Sequence, residues 1–228
     1  MKLDVFIKGE MIDLCVPTRE FAEKSNWYSW FNDSKINRFL DQGLWPNNQT
    51  QQVEFFEKQG DNRLMLIISN RTDYMGVVSL SELDLVRKRG VLSIVTDARK
   101  DVRNAPLIAL EAIARISEHG FKTMGLSKIM AGQHMRLAGW QQRMELLGYR
   151  VEGVNRQGFV KGREIADEIL IGATYADYKK IVELRGNYWD SAEKMAQRIK
   201  DLPKEKFVDK LYAFQANDGE HYYDALYR

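Results

Sequence analysis

Cysteine and histidine are scarce in this chain of 228 residues, and their scarcity excludes several kinds of site. Cys15 is the single cysteine, so the chain can form neither an internal disulfide nor a cysteine-based metal site. The three histidines, His119, His134 and His221, stand far apart and show no metal-ligand spacing. We therefore expect no metal cofactor, and we expect the reducing setting of the cytoplasm.

An excess of charge and long apolar runs are also lacking. Lys and Arg number 34 against 32 Asp and Glu, and the net charge of +2 gives no indication of a nucleic-acid partner. No apolar run approaches the length of a membrane span, and the first residues lack the apolar core of a signal peptide, so we expect no membrane partner. The hydrophobic content of 44% is enough to bury a sizeable core.

The central feature that is present is the stretch 91–120. It begins with a β-branched run at 91–96, continues through a basic segment, and ends in a segment with helical apolar periodicity. Asn104 is the expected N-cap of this helix, and Pro106 suits its first turn. The order strand, loop, helix, followed by another strand at 127–134, predicts a parallel pair of strands with a helical crossover.

Three basic residues lie just before this helix: Arg99, Lys100 and Arg103. A helix N-terminus favours anions because its first N–H groups are unpaired and its dipole is positive there. The segment is thus a candidate pyrophosphate site. The alternative is a solvated turn, since Asp97 and Asp101 weaken the local positive field.

The rest of the chain predicts an α/β body with a mixed sheet and a helical appendage. Further strands are expected at 64–69, 74–85, 149–154 and 166–173, and a hairpin turn at 86–90. The body is expected to end near residue 180. Beyond it, two amphipathic helices are expected, the first opened by a capping box of Asp190 and Glu193, and we expect them to serve homodimerisation or to cover the acceptor site.

Several segments together resemble the GCN5-related N-acetyltransferase (GNAT) superfamily. They include Glu111-Ala112 in the crossover helix, Leu147-Gly148-Tyr149 with Glu152-Gly153 behind it, and the segments WFND, INRFL, GVVSLSELDL and ADEILIG. The chain is most similar to the branch of ribosomal-protein N-acetyltransferases and bacterial nucleotide-amino-sugar N-acyltransferases. The resemblance covers residues 5–180. It implies a mixed, splayed central sheet flanked by helices over 1–180. Residues 181–228 lie beyond the resemblance, and the periodicity described above predicts them to be a C-terminal helical extension.

The resemblance implies acyl-coenzyme A as co-substrate, held where the strands 91–96 and 127–134 splay apart, with no metal. Its pantetheine would bond to the backbone of Ile94, Val95 and Thr96. Its pyrophosphate would meet the basic loop and the helix start, and one further helix would lie beside it; the residues concerned are Asn104, Ala105, Pro106, Leu107, Ile108, Trp140 and Arg143. The chain departs from the family by lacking glycines in this loop and by placing Met144 where the family often has a proton-donating Tyr.

Glu82 and His134 are the two candidates for the general base. Each lies on a strand that borders the implied splay, and a base can act directly or through water. Each residue also has a purely structural alternative, a solvent-facing strand position for Glu82 and a polar strand end for His134.

An aromatic-rich segment near the N-terminus is the candidate acceptor site. Aromatic faces and a cation there would suit stacking on a base and pairing with a diphosphate; the residues are Trp27, Trp30, Phe31, Arg38 and Trp45. Core packing is the alternative for at least two of the tryptophans. The favoured function is transfer of an acyl group to a nucleotide-linked amino sugar, as in glycan or lipopolysaccharide synthesis. Acetylation of a protein N-terminus or another small amine, and a catalytically inactive binding protein, remain alternatives.

Overall fold

A computed structural model describes residues 1–60, 62–97 and 104–228. The predicted pyrophosphate contacts Arg99, Lys100 and Arg103 lie outside the described residues. The described chain forms an eight-stranded sheet in the order β1-β2-β3-β4-β5-β6-β8-β7. The strands are β1 Val5–Lys8, β2 Asp13–Cys15, β3 Leu64–Ser69, β4 Tyr74–Asp84, β5 Arg89–Thr96, β6 Lys128–His134, β7 Arg150–Lys161 and β8 Glu164–Thr174.

Ten α-helices flank the sheet or follow it in the described chain. They are α1 Arg19–Lys24, α2 Trp27–Trp30, α3 Ser34–Asn37, α4 Gln49–Glu57, α5 Ala105–Lys122, α6 Ala138–Glu145, α7 Tyr175–Arg185, α8 Ala192–Lys200, α9 Phe207–Phe214 and α10 Glu220–Tyr227. The expected mixed α/β sheet with flanking helices and a C-terminal helical extension is confirmed.

The strand pairing creates one irregularity in the middle of the sheet. β5 and β6 pair in parallel, whereas the other paired strands are antiparallel. The parallel pairing covers only Arg89–Val91 against Lys128–Met130. Beyond these three pairs the two strands continue without pairing to each other, so the sheet opens between them toward their C-terminal ends.

Alternation along the strands divides the core into two layers. Leu66, Val78 and Leu92 point to the layer that contains α5, and Ile67 and Val77 point to the layer of the N-terminal helices. We call these the α5 face and the α1–α4 face of the sheet. Helix α5 presents its buried side chains to the first layer over almost its whole length because apolar residues recur there at helical spacing.

The C-terminal extension packs on the same core as the sheet. Helix α7 runs through the predicted domain boundary at residue 180 without interruption. Downstream of it, Tyr188, Trp189, Met195 and Val208 are buried in the core layer of the α5 face. The packing joins residues before and after position 180 in one core. The division of the chain into two domains at this position stays a prediction.

The predicted capping box of α8 is wrong in its residues. The hydroxyl of Ser191 caps this helix by accepting a hydrogen bond from the Lys194 N–H. The carboxylate of Asp190 instead binds the guanidinium of Arg198 through two hydrogen bonds of 2.8 and 2.7 Å. Ser191, one position after the predicted residue, therefore supplies the cap. Asp190 instead forms an ion pair with Arg198 on a later turn of the helix.

The last part of the chain stands clear of the core. A π-helical segment, Gln215–Gly219, joins α9 to α10, and these three elements form one continuous helix. Its aromatic side chains from Phe214 onward are exposed, including Tyr222, Tyr223 and Tyr227. Among the described helices, none combines the length and apolar character needed to cross a bilayer.

Candidate active site

The opening between β5 and β6 is the candidate active site. In a central strand of a sheet covered on both faces we would expect buried side chains, yet Ser93 is exposed and Ile94, Val95 and Thr96 are only half-buried. On the side of β6, the described chain gives the backbone of β5 no strand partner beyond Val91. The N–H and C=O groups that β5 turns to this side are available to a ligand lying between the strands. That residues 94–96 bind such a ligand stays a prediction.

The start of α5 differs from the prediction in two ways. Asn104 occupies the N-cap position, but its φ is 72° and its side chain makes no capping hydrogen bond. The N–H groups of Leu107 and Ile108 both donate to the carbonyl oxygen of Asn104, and Pro106 has no N–H group. Two of the predicted phosphate donors are thus already used and a third cannot donate, which leaves Ala105 and the Asn104 amide as candidates at this helix end.

Helix α6 follows β6 after a short 3₁₀ turn, and the role of its residues in binding the coenzyme stays a prediction. Trp140 and Arg143 are half-buried on it, and Trp140 packs against the core of the α5 face. Met144 is 3% exposed and belongs to that core. A thioether has no proton to donate, so a group other than Met144 must meet the leaving group in any acyl transfer here.

Glu82 lies at an irregularity of β4. The register shifts between Ser81 and Asp84, and Glu82 adopts a positive φ of 50° within this bulge. Its neighbour Ser81 pairs with Val91, the last residue of β5 that also pairs with β6. The exposed carboxyl of Glu82 is therefore near the closed end of the opening, and its role as base stays a prediction.

His134 is held by packing and by a hydrogen bond to one ring nitrogen, Nδ1. Its ring centroid lies 4.8 Å from that of Phe39 and 4.7 Å from that of Phe159, and the residue is 3% exposed. Nδ1 accepts a hydrogen bond from the Arg136 N–H, which places the proton of a neutral ring on Nε2. Nε2 lies 3.3 Å from Glu164 Oε1. This arrangement favours a structural role for His134. Its role as the general base stays a prediction.

Glu168 is a carboxylate that the sequence interpretation missed. In the pairing of β6 with β8, His134 lies opposite Glu168 and Gly132 lies opposite Leu170, so Glu168 and Gly132 share the α1–α4 face. A Cβ atom at Gly132 would overlap Glu168 Oε1, so the carboxylate lies directly over this glycine. Its other oxygen accepts a hydrogen bond of 3.2 Å from Asn155 Nδ2. The half-buried carboxylate thus borders the opening at the end of β6.

Small polar residues line the opposite border on the same face. Ser79 and Ser93 are direct partners in β4 and β5, and they alternate with residues of the α5 face. Together with Gly132 they leave the α1–α4 face low in side-chain volume around the opening. The Glu168 carboxylate therefore lies beside a part of this face that is lined by small residues.

A loop after α3 closes one side of this face. The ammonium group of Lys161, at the end of β7, donates to the carbonyl oxygens of Asn37, Leu40 and Gln42 at 2.6, 3.1 and 2.6 Å. Burial lowers the pKa of Lys161. Residues 37–47 lie between the aromatic segment and the β7–β8 hairpin. We call them the acceptor loop, after the acceptor site that the sequence predicts in this region.

The predicted acceptor aromatics fall into two groups. Trp27 and Trp30 are 0% and 4% exposed and belong to the core of the α1–α4 face, so their positions correspond to the core-packing alternative. Trp45 is 83% exposed, and Phe31 is half-buried beside it. These two rings line a cavity of about 390 Å³. Arg38 is exposed, with its guanidinium 5.2 Å from the centre of the Phe39 ring.

No group of three or more His, Cys, Asp or Glu side chains capable of holding a metal occurs in the described part of the chain.

The fold of this chain has known relatives, whereas its sequence has none among family models or curated proteins. A GNAT-family acetyltransferase from Bacillus anthracis superposes with a TM-score of 0.62 at 20% identity, covering 75% of this chain and 98% of the other. The fold is that of the GNAT acetyltransferases.

Two further structures with this fold were solved with ligands. Spermidine N-acetyltransferase from Vibrio cholerae, in complex with CoA and spermine, has a TM-score of 0.66 at 14% identity and covers 74% of this chain and 98% of its own. The microcin C7 self-immunity acetyltransferase MccE, in complex with acetyl-CoA and AMP, has a TM-score of 0.61 at 22% identity, with coverages of 73% and 93%. The acetyltransferase fold thus accounts for about three quarters of this chain.

Proposed function

We propose that this protein is an acyl-coenzyme A-dependent N-acyltransferase whose acceptor is a small-molecule amine. The observation that carries the proposal is the opening between β5 and β6. In the described residues, β5 has no strand partner on its β6 side beyond Val91, and the carboxylate of Glu168 lies beside this opening. The same fold binds CoA or acetyl-CoA in the spermidine and microcin enzymes. The proposal includes acetyl as the simplest acyl group.

The proposed chemistry needs a free amine, an activated carbonyl and a leaving thiolate. Glu168 is our candidate for the base that takes a proton from the attacking ammonium or amine, directly or through one water. The nitrogen lone pair attacks the thioester carbon, a C–N bond forms, and the C–S bond breaks with its electron pair on sulfur. Backbone N–H groups of β5 at 94–96 would donate to the carbonyl oxygen as negative charge develops.

The sulfur can leave without a protein acid. A thiol of ordinary pKa is a good leaving group near neutral pH, so the buried Met144 at the family's frequent Tyr position does not prevent turnover. Tyr149 is the nearest tyrosine in sequence, but its hydroxyl is buried and bonded to Ser117 at 2.7 Å. Burial raises the pKa of Tyr149 far above its usual range.

A panel of amines assayed for release of free thiol from acetyl-CoA tests this proposal. The panel should contain a polyamine, an aminoacyl nucleotide, a nucleotide-linked amino sugar and a peptide N-terminus. We expect transfer to at least one small amine and none to the peptide. Thiol release with the peptide alone, or with no amine although acetyl-CoA binds, would contradict the proposal.

A further inference from the structure

The cavity beside Trp45 is lined by three aromatic residues and lies at the acceptor loop. Its volume is about 390 Å³, and its lining includes Phe31, Trp45 and Phe55 together with the loop residues 41–47. Phe55 is 42% exposed, and the Arg63 guanidinium lies 5.6 Å from its ring centre. Trp45, by contrast, leaves most of its surface to solvent although it is large and apolar. An exposed indole at the mouth of a cavity is available to stack on a flat ligand.

The cavity also contains a buried amide whose N–H group needs a hydrogen-bond acceptor. Gln52 is 1% exposed and lines the cavity, and its Nε2 has no hydrogen-bond partner among the described residues. The orientation of the amide is fixed because Oε1 accepts a hydrogen bond of 3.0 Å from Asn47 Nδ2. A flipped amide would set one NH₂ group against another. A buried donor without a partner is costly, so an acceptor atom of a ligand would complete the site.

We infer that this cavity binds the heteroaromatic ring of the acceptor, and that the ring is a nucleobase. A nucleobase supplies both a face for Trp45 and an edge with carbonyl or ring-nitrogen acceptors for Gln52 Nε2. A polyamine fits less well, because a cationic amine has only donors and the fixed amide of Gln52 also presents a donor. The cavity therefore favours a nucleotide-linked amine over a polyamine.

The acceptor loop connects this cavity to the opening in the sheet. Gln42 lies at the cavity, and its carbonyl oxygen accepts a hydrogen bond of 2.6 Å from the ammonium group of Lys161 in the β7–β8 hairpin. Phe39 of the same loop packs on His134 at the end of β6. A ligand with its base in the cavity can thus extend along the loop toward Glu168. That the nucleotide bound in the cavity is the acyl acceptor rests on the proposed function.

Calorimetric titration of the full chain in the absence of acyl-CoA tests the inference. The ligands are UMP, AMP, ribose 5-phosphate and spermine, and the variants are Trp45→Ala and Gln52→Met, with Phe214→Ala as an exposed aromatic control on α9. We expect a mononucleotide to bind, and to bind about tenfold more weakly to both cavity variants, because stacking on an aromatic ring contributes about one such factor or more. Phe214→Ala should bind like the wild type.

Three outcomes would overturn the inference. They are equal binding of ribose 5-phosphate and nucleotide, nucleotide binding that Trp45→Ala leaves unchanged, and spermine binding at the cavity without nucleotide binding. Trp45 is on the surface, so its replacement keeps the test informative even if Gln52→Met unfolds the chain. Transfer to a polyamine without nucleotide binding would defeat the inference and leave the proposed function standing. Nucleotide binding without any acyl transfer would support the inference and defeat the proposed function.

Discussion

Glu168 is the residue on which the proposed chemistry depends most. Replacing it by Gln keeps the shape and the hydrogen bond from Asn155 but removes the base. We expect Glu168→Gln to lower kcat by about 100-fold or more, the usual range for general-base catalysis, with coenzyme A binding unchanged. Steady-state thiol release and calorimetry measure the two quantities.

Glu152→Gln is the matched control for this substitution. Glu152 is another half-exposed carboxylate of the same hairpin, and it pairs with Lys128 at 2.8 Å instead of facing the opening. Its replacement should leave kcat within a few-fold of the wild type. An equal loss of kcat in Glu168→Gln and Glu152→Gln would show that the effect comes from the change in charge and not from a specific base. A large loss of kcat in Glu82→Gln alone would show that Glu82 is the base.

For His134 we expect an effect on stability and not on kcat, because its surroundings indicate a structural role. The ring fills the space between Phe39 and Phe159 and caps the turn that follows β6. We expect His134→Ala to lower the free energy of unfolding by about 2–3 kcal/mol, as for other large-to-small changes at buried sites, with kcat of the folded fraction retained. Denaturant unfolding combined with kinetics tests this. A 100-fold fall in kcat at unchanged stability would show that His134 is the base.

At the scale of elements, α8 is fixed by a pH-dependent ion pair. The Arg198 guanidinium holds the pKa of the Asp190 carboxyl at about 2, below its usual value of 3.8. A carboxyl whose pKa is lowered by folding stabilises the protein above its unfolded pKa and loses that effect as pH falls through the folded value. The Asp190 carboxylate is only 5% exposed, so a contribution of about 2 kcal/mol follows from this shift.

We therefore expect Asp190→Asn to reduce stability at pH 7 and to match the wild type more closely as pH falls from 4 toward 2. Thermal unfolding at several pH values measures the difference. Asp201→Asn is the control, because Asp201 is exposed and only accepts a hydrogen bond from Gln197. A difference between wild type and Asp190→Asn that is constant over this pH range would contradict the account.

The acceptor loop is the second element that a single residue holds. Lys161→Met would remove the donor shared by three loop carbonyls, while Arg163→Met changes an exposed cation two residues away. We expect Lys161→Met to raise KM for the amine several-fold and to leave coenzyme A binding unchanged, because the loop faces the acceptor side. Unchanged KM would show that the loop does not position the acceptor.

The sequence predicted the elements better than their contacts. The strands β3, β4 and β6 follow from apolar and β-branched runs, and the observed bounds differ from the predicted ones by at most one residue. Glu168 could not be identified in this way, since its position over Gly132 depends on the register of β6 against β8. Residue type also did not separate the buried Trp27 from the exposed Trp45, because both occur in the same aromatic segment.

At the scale of the whole molecule, the extension divides into a packed and an exposed part. Tyr188, Trp189, Met195 and Val208 are buried in the common core, whereas residues 221–228 are all exposed. A chain ending at residue 180 would expose a large apolar surface and should fail to fold, and a chain ending at Phe214 should keep its Tm within a few degrees. Thermal unfolding of both truncations tests this.

The same truncation at Phe214 examines the predicted homodimer. If the exposed aromatic residues of α10 form the interface, the full chain will be a dimer by light scattering and the shorter chain a monomer. Equal masses for the two chains would exclude this helix as the interface.

The most direct test of the account is calorimetric titration of the full chain with coenzyme A, repeated for Arg103→Glu. We expect micromolar binding to the wild type and weaker binding to Arg103→Glu, because the substitution reverses a charge in the predicted pyrophosphate loop. Absence of binding to the wild type would contradict the account, because the opening between β5 and β6 would then not be a coenzyme site.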